Sequence, residues 1–77
     1  MTAEEMFIKL GFTKKITPNT FIMYGRVNTT ASRDIAFDKV SRRIAVKDVI
    51  GNILTRKAIS VNELMAIIQQ CKELGWI

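Results

Sequence analysis

The sequence predicts an α+β fold, a single domain over residues 1–77 in which an N-terminal and a C-terminal helix flank an antiparallel β-meander of three to four strands, in the order α-β-β-β-β-α. Three observations carry this expectation. Apolar residues recur at helical spacing near both ends of the chain, the period shortens to two between them, and a Ser/Thr-x-x-Glu box and a glycine bracket each helical stretch.

Thr2-Ala3-Glu4-Glu5 opens the first helix as a capping box, with the Thr2 hydroxyl accepting from a free helical N–H while Glu5 reaches back to the Thr2 amide. Ala3, Met6, Phe7 and Leu10 fall at i, i+3, i+4 and i+7 and form one apolar stripe, with Glu4, Glu5 and Lys9 outside it. Gly11 is placed to close the helix in the left-handed conformation, so that Phe12 folds back on the last turn.

Thr17-Pro18-Asn19 reads as a turn, and Thr20 to Val27, rich in β-branched and aromatic residues, as the strand that follows it. Asn28 to Ser32 is a polar loop whose Asn28-Thr29-Thr30 matches a glycosylation sequon by chance. Arg33–Lys39 and Arg42–Val49 then alternate as a hairpin around Val40-Ser41. That register sets Phe37 opposite Ile44, Ile35 opposite Val46, Asp38 opposite Arg43, Asp34 opposite Lys47 and Arg33 opposite Asp48. A slip of one residue would misalign the apolar and the charged pairs together, so two independent patterns favour one pairing. A turn around Gly51 leads to a last short strand, Ile53 to Ile59, with irregular chain there as the three-stranded alternative.

Ser60-Val61-Asn62-Glu63 is a second capping box, and Leu74-Gly75-Trp76 closes the C-terminal helix as Leu10-Gly11-Phe12 closes the first. At about 100° per residue, Val61, Leu64, Met65, Ile67, Ile68, Cys71 and Leu74 cover about half of the helix circumference, more than a sheet alone would bury. The first helix or a second copy of the chain is the expected cover.

Composition excludes several classes of function. The chain has no histidine and one cysteine, Cys71, on an apolar helix position, so neither a cysteine–base pair nor a set of zinc ligands can be assembled. Of the seven carboxylates, Glu5 and Glu63 have capping roles, and Asp34, Asp38 and Asp48 face basic partners across the hairpin. That leaves no paired-carboxylate site. The glycines form no phosphate-binding loop. The expectation is a protein without enzymatic activity, metal or cofactor. A lone cysteine suits a reducing compartment, the N-terminus does not read as a signal peptide, and no apolar run reaches the ~18 residues of a membrane span.

A net charge of +5 and the adjacent pairs Lys14-Lys15, Arg42-Arg43 and Arg56-Lys57 raise the alternative of a nucleic-acid-binding module that contacts phosphates. Only Phe21 or Tyr24 is left to serve as a base-stacking aromatic. Adjacent strand residues point to opposite faces, however, which divides each pair between two surfaces. With helices on one side of the sheet, the other face would carry Asp34, Ala36, Asp38, Arg43, Ala45 and Lys47. Small residues among complementary charges there suit a protein partner or self-association. Ala36 and Ala45, with Ile67 and Leu74 of the C-terminal helix, are the candidate interface.

Leu10-Gly11-Phe12, Ile35-Ala36-Phe37-Asp38-Lys39, Ser60 to Ile67 and Cys71-Lys72-Glu73-Leu74-Gly75-Trp76 together resemble a group of small uncharacterised proteins encoded by phages and prophages of Gram-positive bacteria. The likeness covers nearly the whole chain. It implies a short opening helix, strands with a Gly-containing turn, and a closing helix of the pattern E-L-x-A-I…E-L-G-W. It also implies a setting in the bacterial host cytosol, and it carries over no functional residues.

Overall fold

The computed structural model describes residues 1–29, 31–50 and 58–77, with Ile50 described by its backbone alone. Six elements follow one another: α1 (Ala3–Lys9), β1 (Thr13–Lys14), β2 (Phe21–Val27), β3 (Ala31–Asp38), β4 (Arg43–Ile50) and α2 (Val61–Glu73). The strands form one antiparallel sheet in the order β1-β2-β3-β4. The fold is thus an α+β meander between two helices.

Both helices are bounded as their sequences dictate. The Thr2 and Ser60 side chains accept from the amides of Glu5 and Glu63, and those two carboxylates accept in return from the cap amides. Gly11 (φ 89°) and Gly75 (φ 74°) take the left-handed conformation. The Phe12 amide then reaches the Phe7 carbonyl at 3.0 Å, and the Trp76 amide reaches the Cys71 carbonyl at 2.8 Å. These are paired Schellman ends, which only glycine adopts without steric cost.

The β3–β4 register matches the expected one from Arg33↔Asp48 to Asp38↔Arg43, and the ladder runs on through Ser32↔Val49 and Ala31↔Ile50, so the polar loop expected over Asn28 to Ser32 is shorter and β3 begins at Ala31. The connection is longer than Val40-Ser41, running from Lys39 to Arg42. It turns without a glycine because Asp38 Oδ1 accepts from the amides of Val40 (2.9 Å) and Ser41 (3.3 Å), and because Arg42 itself adopts φ 55°.

One strand differs in place. The fourth member of the sheet is β1, which pairs Thr13 with Gly25 and Lys14 with Tyr24, and the Lys15 amide extends it to the Met23 carbonyl at 2.9 Å. Two residues are too few to show an alternating pattern in sequence. The turn at Gly51 and most of the expected Ile53–Ile59 strand lie outside the described residues, while Ala58 and Ile59 carry no strand assignment.

Residues in register share a face, and the buried row Tyr24, Ile35 and Phe37 marks the side on which the helices lie. Phe7 of α1 stacks on Tyr24 with ring centres 4.1 Å apart, and Phe12 and Phe37 meet Phe7 edge-on. Ala66, Ile67 and Cys71 of α2 complete the core, and Trp76 and Leu74 pack against its margin. The Tyr24 hydroxyl donates to Gln70 Oε1 at 2.6 Å, so the one polar tip in this aromatic layer is satisfied. Burial, with Glu4 and Glu73 nearby, pushes the Tyr24 phenol up to about 12, so it remains a donor at any physiological pH.

Candidate interaction site

The position of α2 is fixed by an ionic cluster that spans three strands. Arg26, Arg33 and Asp48 stand in one row across the helix-facing side of the sheet. Two arginines directly opposite each other would repel, but Glu63 at the start of α2 sits over both. Arg33 holds Asp48 through Nε (2.6 Å) and Nη2 (2.8 Å), and its Nη1 donates to both Glu63 oxygens at 2.9 Å. Arg26 Nη2 lies 3.8 Å from Glu63, while its Nη1 donates to the Leu10 carbonyl at 3.1 Å and its guanidinium covers the Phe12 ring. Arg26 therefore joins the C-terminal end of α1 to the N-terminal end of α2.

The other ends of the two helices are joined by Glu73 Oε2, which accepts from the Ala3 amide at 2.7 Å. The helices consequently run antiparallel, side by side, on the sheet. The side chains of Arg33, Asp48 and Glu63 are only 14%, 6% and 5% exposed. Burial pushes the Glu63 carboxyl up, but the Ser60 amide, the Arg33 guanidinium and the Ser60 hydroxyl outweigh it and hold the group below its ordinary value.

This placement gives α2 two apolar faces. Ala66, Ile67, Gln70 and Cys71 turn inward with Glu63. Val61, Leu64, Met65 and Ile68, spaced i, i+3, i+4 and i+7, are 72%, 47%, 53% and 37% exposed and lie on the opposite side of the helix. The apolar half-circumference read from the sequence is therefore divided between core and surface. Ile67 belongs to the core at 6% exposure and cannot contribute to an interface, and Leu74 is half-buried against that core. Beside the exposed stripe, a groove of about 340 Å³ runs between the helices, lined by Met1, Met6, Lys9, Leu10, Asn62 and Met65.

The opposite face of the sheet carries neither helix. It presents Met23, Ala36 and Ala45 as a lane of small and flexible side chains, flanked by Asp34 and Lys47 on one side and by Phe21, Asp38 and Arg43 on the other. Asp34 is held by Lys15 at 2.8 Å, whose chain passes over Gly25. A Cβ on Gly25 would lie 2.4 Å from Lys15 Cε, so the close approach depends on that glycine.

Among the described residues the basic pairs do not gather on one surface. Lys14 and Lys15 belong to the β1 edge, where each faces a carboxylate, Glu4 at 3.7 Å and Asp34 at 2.8 Å. Arg42 and Arg43 lie at the opposite, β4 edge of the sheet, with two strands between, and Arg56 and Lys57 lie outside the described residues. Lys39, which sequence reasoning did not single out, joins Lys14 and Lys15 around a depression of about 540 Å³ that also exposes Phe21. Tyr24 is fully buried and cannot serve as a stacking platform.

Among the described residues no three histidine, cysteine or carboxylate side chains are placed to hold a metal ion, and no helix is long and apolar enough to cross a membrane. Burial raises the Cys71 thiol above its ordinary value, away from the reactive thiolate. Comparison with protein-family models, curated proteins and solved structures gave no match.

Proposed function

We propose that this chain is a non-enzymatic accessory protein, of the kind encoded by phages and prophages, that acts in the host cytosol by protein–protein interaction. The observation that carries this reading is the second apolar face of α2. Four apolar side chains at helical spacing, turned away from the core, are what a helix presents when another surface is meant to cover them. The open sheet face at Ala36 and Ala45 supplies a second, shallower contact area. Nucleic-acid binding through phosphates is the alternative, favoured by the lysine-lined depression at Lys14, Lys15 and Lys39.

A photo-crosslinking amino acid placed in turn at Met65, Ile68 and Asn19 tests the reading in bacterial cells. Discrete protein adducts from Met65 and Ile68, absent from Asn19 and unchanged by nuclease, are the expected result. Adducts that form only at Asn19, on the rim of the lysine depression, and disappear with nuclease would replace it with the alternative.

A further inference from the structure

Resting on that reading of α2, we propose that the stripe Val61–Leu64–Met65–Ile68 and the groove beside it receive an acidic amphipathic helix of another protein. The shape of the site suits a helix. The stripe extends over two turns of α2, and the parallel groove is floored by Met6, Leu10 and Met65. Methionine is unbranched and adaptable, so such a floor moulds itself to an inserted apolar ridge. An incoming helix of about three turns would lay its i, i+3 or i+4, i+7 side chains along it.

The sign of the partner's charge follows from the rim. Lys9 lines the groove on the α1 side, and Lys72, one turn beyond Ile68, continues the line of the exposed stripe. Among the described residues neither has a carboxylate within 4 Å, and the carboxylates nearest to them in sequence, Glu5 and Glu73, are engaged elsewhere. Glu5 accepts from the Thr2 amide at 2.9 Å, and Glu73 accepts from the Ala3 amide and from Gln69. The apolar face is thus bracketed by cations that form no ion pair among the described residues, and an acidic flank on its partner would complement them.

The same charges argue against a second copy as the occupant. Antiparallel pairing of two α2 helices would bring each Lys72 toward the electropositive start of the other helix, and parallel pairing would set Lys72 against Lys72. Like charges would meet in both arrangements.

The test uses fluorescein-labelled peptides of about 16 residues that share one apolar face and differ only in flanks of Glu or of Lys, titrated with the full chain and followed by anisotropy. The Glu-flanked peptide is expected to bind at least about tenfold more tightly, with the advantage shrinking from about 50 to about 300 mM salt. Lys9→Glu with Lys72→Glu should invert the preference, and Met65→Lys, at an exposed position, should abolish binding of both peptides while circular dichroism confirms the fold.

Equal binding of the two peptides, or no inversion, overturns the acidic partner while loss on Met65→Lys would still uphold the apolar face as a binding surface. A concentration-dependent dimer in sedimentation velocity that Met65→Lys dissociates overturns the proposal in favour of self-association. No binding by either peptide, with a monomer in sedimentation, overturns both the proposal and the reading beneath it.

Discussion

Replacing Arg33 with methionine removes the cation that bridges two buried carboxylates, Asp48 and Glu63. Asp48 and Glu63 would face each other with their side chains about nineteen-twentieths shielded, and among the described residues only Arg26, 3.8 Å from Glu63, would remain nearby. Breaking a buried ionic network in this way costs about 3–5 kcal/mol, because the partners are left charged and desolvated. A domain of this length is stabilised by about 4–12 kcal/mol in total, so the loss is a large fraction of the whole. With a urea dependence of about 1 kcal/mol per M, the midpoint followed by Trp76 fluorescence should fall by about 3–5 M. Lys15→Met is the matched control, since it breaks a half-exposed pair worth about 0–1 kcal/mol. If Arg33→Met shifted the midpoint no further than Lys15→Met, the claim that this cluster anchors α2 would be wrong.

The cluster also sets the response to acid. The folded Glu63 carboxyl lies below its ordinary value of 4.5, so its contribution is complete at neutral pH, declines as pH falls below 4.5, and is lost once the folded form is protonated. Urea midpoints measured from pH 7 to about pH 3 should therefore drop less in Arg33→Met than in the parent chain.

Four further outcomes are expected. Tyr24→Phe leaves buried Gln70 Oε1 without its 2.6 Å donor and should lower stability by about 1–3 kcal/mol in thermal unfolding. Arg42→Gly relieves a non-glycine residue at φ 55° and should raise stability by up to about 1 kcal/mol; a decrease would mean that the loop turns some other way. Arg43→Glu puts a second carboxylate opposite Asp38 and should cost about 0.5–1 kcal/mol, with unchanged thermal stability counting against the hairpin register. Buried Cys71, its thiol raised above the ordinary value, should react with a thiol reagent far more slowly in the native chain than in urea, and equal rates would contradict its core position.

Much of this architecture was legible because several local signals agreed. Both capping boxes, both glycine ends and the β3–β4 pairs from Arg33↔Asp48 to Asp38↔Arg43 follow from residue types at fixed spacing, whereas Ala31 and Ser32, expected in a loop, extend the strand. The ionic cluster was half legible. Arg33 has the parity of Ile35 and Phe37, and Asp48 that of Ile44 and Val46, so both belonged on the buried face and required a partner from the layer above. Glu63 had already been given a capping role, and one carboxylate serving two ends was not foreseen. β1 escaped because it is two residues long and owes its existence to the exposed edge of β2. The candidate interface was misjudged at Ile67 for a related reason. A helix with apolar residues around half its girth does not reveal which part meets the sheet; that choice is made by Glu63 seeking Arg33 and by Glu73 seeking the Ala3 amide, both long-range contacts.

The most direct measurement of the central claim is a methyl spectrum of the chain, labelled at its Met, Ile, Leu, Val and Ala methyls, recorded as the Glu-flanked peptide is added. Shifts and broadening are expected at Met6, Leu64, Met65 and Ile68, with Ile35 and Ile67 little changed because they lie inside the core. Changes confined to Met23, Ala36 and Ala45 would move the binding surface to the open sheet face, and a spectrum unchanged at α2 would contradict the claim that its outer face is where this protein meets its partner.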